Sequence, residues 1–427
     1  MLPVALQIVN SDKILVYKDN TFSIENDIVY DYISLDLSRH FNRHFSGICY
    51  DISTLLKLKG NKFDSFNEII KTVFVDAETT AYFKALAIFM AYIKSYKVTN
   101  ININEFDIIK TIPEDVWLSY YKEKIFLIKR LYDDFIESEY MLKVFYKGNF
   151  YYKCELLHNL SKQDLLVDKD FVLSDIESNS YVLNHIKSDD KLKLKFNFVG
   201  AKTGRIGFKK NSFNLYNLPR ELRKAIIPRS GFKIVEFDFK NFQPRLAINA
   251  VLDENFKEKF KEVEDIYSVF NGDREANKIE LISWMYSNQR NSKFEEEAHA
   301  IKELRKYLFN LIKQNGYVVN TFGRPLYIDS HTEEHVIFQN YITSLEVDSI
   351  LYLIEELNKD NKLLAESDRF RIMFPFHDAI VCEIKEDSLF LCDDIKNTLE
   401  DRMKKLLKSY FPVNIKVGDN YGSLTKW

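Results

Sequence analysis

Cysteine, proline and glycine are scarce in this chain. Of its 427 residues, 4 are Cys, 8 are Pro and 12 are Gly. The cysteines, Cys49, Cys154, Cys382 and Cys392, are scattered and form no C-x-x-C pair. That argues against a zinc site and fits a reducing cytoplasm, the expected location. No run of about 18 apolar residues exists, so no membrane-spanning helix is expected. The most apolar stretch, residues 81–92, is too short, is interrupted by Lys84 and is followed by Lys94. A basic start followed by an apolar core and a small-residue cleavage site is also missing, which argues against a secretory signal. The low glycine count beside abundant Lys, Asn, Ile, Phe and Tyr points to an AT-rich genome and says nothing of function.

A large excess of positive charge is missing too. The formal net charge is −3, which looks wrong for a nucleic-acid protein. Local counting changes this. Residues 202–229 hold eight bases (Lys202, Arg205, Lys209, Lys210, Arg220, Arg223, Lys224 and Arg229) against one acid, Glu221, a net +7 in 28 residues. A solvated basic loop would look the same, but such a cluster is also an electrostatic footprint for phosphate.

The length predicts roughly two to four domains, and the 46% hydrophobic content is enough for several cores. The chain is organised around residues 231–250. Phe232, Ile234, Val235, Phe237 and Phe239 predict a short, largely buried strand with Asp238 at its end. A buried carboxylate is costly unless paired or bound to a metal. A second such acid follows. Residues 371–376 and 380–384 read as two apolar strands, with His377, Asp378 and Ala379 in a tight turn between them. Two hard oxygen ligands on two strand ends suit a pair of Mg2+ ions.

These residues carry a resemblance. Asp238 to Arg245 reads D-F-K-N-F-Q-P-R and resembles motif A (D-Y-S-Q-I-E-L-R) of the family A DNA polymerases. Arg274, Lys278, Ile282 and Tyr286 fall at the spacing of motif B. His377-Asp378-Ala379 resembles the H-D-E of motif C. Thr203-Gly204-Arg205, the stretch Phe213 to Pro219, the Gly316-Tyr317 and Phe322-Gly323-Arg324 elements, and residues 412–421 resemble further family motifs in the right order. Seven matches over about 225 residues make the signal strong.

The resemblance implies an α+β right-hand polymerase fold with palm, fingers and thumb, preceded by a small N-terminal α/β domain. The expected divisions are 1–115 for that domain, 116–200 for a thumb-like helical region and 201–427 for palm and fingers. It implies template-directed addition of dNTPs to a primer 3′ end. Two Mg2+ ions, with Mn2+ as a substitute, are held by Asp238, Asp378 and the Phe239 carbonyl. Arg274 and Lys278 are expected to grip the incoming triphosphate, and Ile282, Tyr286 and Gln243 to face its sugar and base. Primer-template DNA is the implied partner, contacted by Lys202, Arg205, Asn214, Asn217, Arg223, Arg245, Asn340 and His377. No protein partner is implied.

Departures keep rivals open. Gln243 stands where the family has Glu, and Ala379 where it has a second motif C acid. A single-subunit RNA polymerase or primer-making enzyme, or an inactive DNA-binding subunit of the same fold, are the alternatives. A single helix is expected over residues 291–314 and a strongly amphipathic one over residues 338–357. His331 to His335 matches H-x-x-E-H, but in this context an ordinary charged helix start is expected rather than zinc.

The N-terminal part tempts with Asp76 and Glu78, two apart as in the first motif of a 3′–5′ proofreading exonuclease. The second acid lacks its context and the third has no candidate, so a degenerate remnant or an unrelated domain is expected. Labelled primer with a mismatched 3′ end should therefore stay intact in Mg2+ without dNTP. Trimming that depends on Asp76 and Glu78 would overturn this reading.

Overall fold

The computed structural model describes residues 4–7, 14–18, 21–25, 32–34, 49–51, 80–88 and 113–136 of an N-terminal unit. Beyond that it describes residues 156–157, 159–174, 176–186, 190–197, 201, 203–209 and 212–427, apart from 289–290, 361–362, 364–365 and 367. The chain divides into two compact units, Met1–Lys147 and Gly148–Trp427. Asp76, Glu78, Lys202 and Lys210 lie outside the described residues.

The first unit holds a five-stranded sheet of β1 (Val4–Gln7), β2 (Ile14–Lys18), β3 (Thr21–Glu25), β4 (Tyr32–Ser34) and β5 (Cys49–Asp51). Its order is β3-β2-β1-β4-β5. β4 runs parallel to both its neighbours, whereas β2 pairs antiparallel on either side. Helix α1 (Glu114–Ile136) buries Tyr120, Tyr121, Ile125, Leu127 and Ile128.

In the second unit, β6 (Asp164–Val167) is followed by α2 (Lys169–Ser174), α3 (Ile176–Leu183) and β7 (Lys191–Lys193). Then come β8 (Phe196–Asn197), β9 (Gly207–Phe208) and β10 (Ile226–Ile227). β6 lies between β10 and β7 in one small sheet. The region around residues 164–193 is therefore not purely helical, as expected for a thumb. Its ladder to Ile226 also crosses the division expected at residue 200. The division expected at residue 115 falls inside α1.

The main sheet explains the site. β11 (Phe232–Phe239) is its central strand, β14 (Phe370–Phe376) and β15 (Ala379–Lys385) form a hairpin on one side, and β16 (Val413–Gly418) and β17 (Thr425–Lys426) lie on the other. The order is β14-β15-β11-β16-β17. β11 is bonded along both edges, and Ile234, Val235, Phe237 and Phe239 are buried, as its near-continuous apolar sequence requires. Pro375 cannot donate to a ladder and accordingly sits on the edge strand β14, beyond a bulge at Ile372/Phe374. Glu383, fully buried on β15, is met by Arg229 Nε and Arg371 Nη2, each at 2.8 Å.

Around this sheet run α4 (Phe242–Ala250), α5 (Glu254–Glu258), α6 (Arg274–Met285), α7 (Phe294–Glu297) and α8 (His299–Asn315). The short hairpin β12 (Tyr317–Val319) and β13 (Pro325–Tyr327) leads to α9 (Glu334–Lys359), and α10 (Leu391–Leu407) follows β15. The single helix expected over residues 291–314 is broken at Ala298 into α7 and α8. α9 is longer and less amphipathic than expected. It packs against α4, α8, α10 and the sheet, so its buried residues include Phe338, Tyr341, Leu345, Asp348, Ile350 and Leu353 on successive faces.

A polar α9 residue in that setting needs a partner. Asp348 is fully buried and accepts from Arg324 Nε at 2.9 Å and Nη2 at 2.7 Å, and from Asn320 Nδ2 at 2.8 Å. Gly204, at φ +77, lies against the same guanidinium, and a Cβ built on it would stand 2.4 Å from Arg324 Cζ. Only glycine suits both the backbone and the space there. Asp348→Ala strands a buried cation and should cost about 3–5 kcal/mol in urea unfolding. Gly204→Ala should also destabilise the protein. A midpoint unchanged by either substitution would show that the pair does not hold the fold.

Candidate active site

Strand register brings the two sequence-predicted acids together. Asp238 of β11 lies opposite Ala379 of β15, so Asp378, one residue before Ala379, stands beside it. The Phe239 N–H donates to the Asp378 carbonyl at 3.3 Å. His377 and Asp378 form a two-residue turn between β14 and β15, with His377 in the left-handed region at φ 54. The His377 ring stacks on Tyr216, with centroids 4.9 Å apart, and the Tyr216 hydroxyl donates to the Pro375 carbonyl at 3.2 Å. Partial burial, then the charges of Arg205 and Arg223, hold the His377 imidazole below its ordinary value.

Asp378 behaves differently. Burial first, then the negative charges of Asp238 and Glu346, push its carboxyl up to about 7. Lys416 relieves Asp238 only in part. Its ammonium is 2.7 Å from Glu236 Oε1 and 3.2 Å from Asp238 Oδ2. Sequence reasoning missed Lys416, and the signal lay in the pairing of β16 with β11, which sets Lys416 opposite Glu236.

Asp238, Phe239 and Asp378 line a cavity of about 630 Å3 with Arg274, Lys278 and Ile282 of α6. The last three recur every fourth residue and share a helix face, as the sequence predicts. Tyr286 differs, since it caps α6 and packs a half-buried ring against the core. Its hydroxyl donates to Gln243 Oε1 at 2.7 Å. Arg274 is engaged by Asp265 Oδ2, at 2.6 Å from its Nε, and by Glu275. Lys278 has no such partner among the described residues.

With two carboxylates beside each other, each raising the cost of charge on the other, the donor set fits a hard divalent cation. Among the described residues no group of three His, Cys, Asp or Glu side chains stands ready for a metal. Two carboxylates completed by water and substrate phosphate are the usual Mg2+ arrangement. The H-x-x-E-H residues form no zinc cluster either, and His335 faces Glu333 at 3.4 Å.

A second cavity, of about 380 Å3, is lined by Arg205, Tyr216, His377 and Asp378 on one side and by Gln339, Thr343 and Glu346 of α9 on the other. Gln243 and Asp378 border both cavities. The α9 face is one residue off the expected one. Asn340 does not line this cavity, and Ser344 is buried, donating to the Tyr341 carbonyl. Asn217 is exposed, and Asn214 uses its side chain to accept from the Tyr216 N–H and cap a short 3-10 turn.

The basic segment is less available than its count suggests. Arg223 stacks on Phe376, 4.6 Å from its centroid, and donates to the Leu218 carbonyl. Lys224 pairs with Glu221 at 2.8 Å, and Arg229 with Glu383. Arg205, Lys209 and Arg220 are exposed. The expectation that Arg245 contacts DNA is corrected. It is 3% exposed and spends four of its five N–H donors on the carbonyls of Lys240, Tyr410, Val263 and Glu264, so it is turned into the fold and away from a phosphate.

The raised Asp378 value makes a pH test. The folded chain keeps a proton there that the unfolded chain gives up above the ordinary carboxyl value of 3.8, so it binds more protons between about 4 and about 7. Metal-free stability should therefore fall as pH rises through that window and level off above it. Asp378→Asn should flatten the fall in thermal melts taken in chelator. An unchanged slope would exclude Asp378 as its source.

No protein-family model matches the chain. It is 22% identical over 282 residues to the DNA polymerase I of Chloroflexus aurantiacus, a match covering 55% of this chain and 29% of that protein. The chain thus spans under a third of that relative's length. Among solved structures it is similar to the POL domain of Pol1 from M. smegmatis, solved in complex with DNA primer-template and dNTP. The TM-score is 0.63 at 12% identity, over 92% of this chain and 87% of that one. Among the described residues no helix is long and apolar enough to cross a membrane. In fold the chain is similar to that POL domain, and over part of its length it is similar in sequence to a DNA polymerase I.

Proposed function

We propose that the chain is a template-directed DNA polymerase that adds dNTPs to a primer 3′ end. One observation carries this reading: Asp238 and Asp378 meet Arg274 and Lys278 across a single cavity. Carboxylates on one wall and cations on the other are what a nucleoside triphosphate with bound Mg2+ requires.

The main sheet acts as palm, and α6 with its neighbours as fingers. Asp238, Asp378 and the Phe239 carbonyl would hold two Mg2+ ions, for which Mn2+ could substitute. When bound, these ions lower the pKa of the primer 3′-hydroxyl and neutralise charge on the departing pyrophosphate. Lys278, unpaired among the described residues, draws the triphosphate in, and Arg274 trades Asp265 and Glu275 for phosphate oxygens. Both orient the α-phosphate for in-line attack. Gln243 and Tyr286 wall the sugar, and Ile282 adds an apolar contact. Arg205, His377 and the α9 residues Gln339 and Thr343 face the second cavity, where the primer-template is placed. The N-terminal unit supplies no proofreading in this reading, and the working location is cytoplasmic.

Primer extension with each dNTP set tests the proposal. The unmutated protein should extend, with dNTPs used in preference to NTPs. Asp238→Ala and Asp378→Ala should each abolish extension and leave DNA binding in place, since affinity comes mostly from phosphate contacts. Normal extension by either variant would remove the site assignment. Equal use of NTPs would favour an RNA polymerase.

A further inference from the structure

The Gln243 amide is held from both ends. Its Oε1 accepts from the Tyr286 hydroxyl at 2.7 Å, and its Nε2 donates to Glu346 Oε2. The three residues come from three elements: Gln243 from α4, Tyr286 from the end of α6 and Glu346 from the middle of α9. Glu346 is only 7% exposed, and its carboxylate borders the same cavity as Gln243 and Asp378. Its burial raises its proton affinity and the Gln243 contact opposes that rise, so the two side chains stabilise each other.

We propose that Glu346 is a positioning residue for sugar selection, whose carboxylate fixes the Gln243 side chain as the barrier to a ribose 2′-hydroxyl. The proposal rests on the polymerase reading above. Its argument is directional. An amide can accept from Tyr286 and donate to Glu346 at once, which orients it without ambiguity. A carboxylate at position 243 has no N–H to give. It would face Glu346 as a second acid, on a wall where Asp378 already crowds negative charge. Gln243 and Glu346 are therefore matched: position 346 must keep an acceptor, and an acid at 243 cannot stand opposite an acid at 346. Unanchored, the Gln243 side chain is free to rotate away and admit a 2′-hydroxyl. The remaining charged groups nearby, Arg205 and Asp378, border the cavity without bonding to the Gln243 amide.

The experiment measures kcat/KM for dCTP and for CTP on one primer-template with the full chain. The variants are Glu346→Ala, Gln243→Glu, Glu346→Gln and the double variant Gln243→Glu/Glu346→Gln. In Glu346→Ala the dCTP-over-CTP ratio should fall by about tenfold or more, the size expected when a buried anchor is lost. Gln243→Glu should lower dCTP use by at least about tenfold. The double variant restores a donor facing an acceptor, with the charge transposed, and should return to within about threefold of the unmutated protein.

A purely structural Glu346 would depress dCTP and CTP use together and leave their ratio alone, which would overturn the proposal. A double variant no better than Gln243→Glu would overturn it as well. Should Glu346→Ala fail to fold, the three isosteric variants decide the matter alone. No extension with dCTP or CTP by the unmutated protein would instead remove the polymerase reading, and this inference with it.

Discussion

The ion pair between Arg324 and Asp348 sets the frame in which the site can exist. It joins three stretches far apart in the chain: Gly204 beside the guanidinium, Arg324 at the β12–β13 hairpin, and Asp348 in the middle of α9. Removing two charges from water is expensive, and a buried pair of this kind adds little net stability over a well-packed apolar one. What it does add is uniqueness. A side chain at position 204, a shift of α9 by one residue, or a hairpin closed differently would each leave a charge unmet. Fixing the register of α9 also fixes which of its side chains reach the cavity beside Asp378.

The chemistry then follows from sheet topology. Asp238 and Asp378 are 140 residues apart in sequence and adjacent in space because β11 and β15 run antiparallel in register. The strands are apolar enough to be buried on both faces, so the acids are confined to the strand ends, where the sheet meets solvent. Burial and the neighbouring charges of Asp238 and Glu346 raise the proton affinity of Asp378 there. Lys416 is the counterweight, holding Glu236 and one oxygen of Asp238 without cancelling the charge.

Much of this was legible in the sequence, and the failures share a cause. Strand β11, the 377–378 turn and the stepped face of α6 are local patterns, in which apolar alternation, a two-residue turn and an every-fourth-residue spacing each act over a few residues. Arg245 was misjudged because an exposed arginine and one wrapped in four carbonyls look alike until the chain folds around them. The basic count over residues 202–229 overstated free charge for the same reason, with Arg223, Lys224 and Arg229 taken up by partners. Glu346 and Lys416 gave no local signal, since each matters through a residue over a hundred positions away. The α9 face was missed by one residue because Asn340 resembled a motif, whereas Ser344 is buried and Gln339 and Thr343 line the cavity.

Arg305 gives α6 two unequal ends. Its guanidinium donates to the Trp284 and Ser287 carbonyls at 3.2 and 3.3 Å, and lies 3.2 Å from Glu334 of α9. The C-terminal end of α6 is thus pinned to the core, whereas Arg274, at the far end, is restrained by exposed ion pairs that a competing anion can replace. Asn277, fully buried one turn in, donates to the Tyr267 and Phe270 carbonyls at 3.0 and 3.1 Å, so the body of the helix is tied down as well. Only the first turn rests on contacts that dissolved ions can exchange, and an anion arriving at Arg274 therefore has a side chain to rearrange and no helix to move.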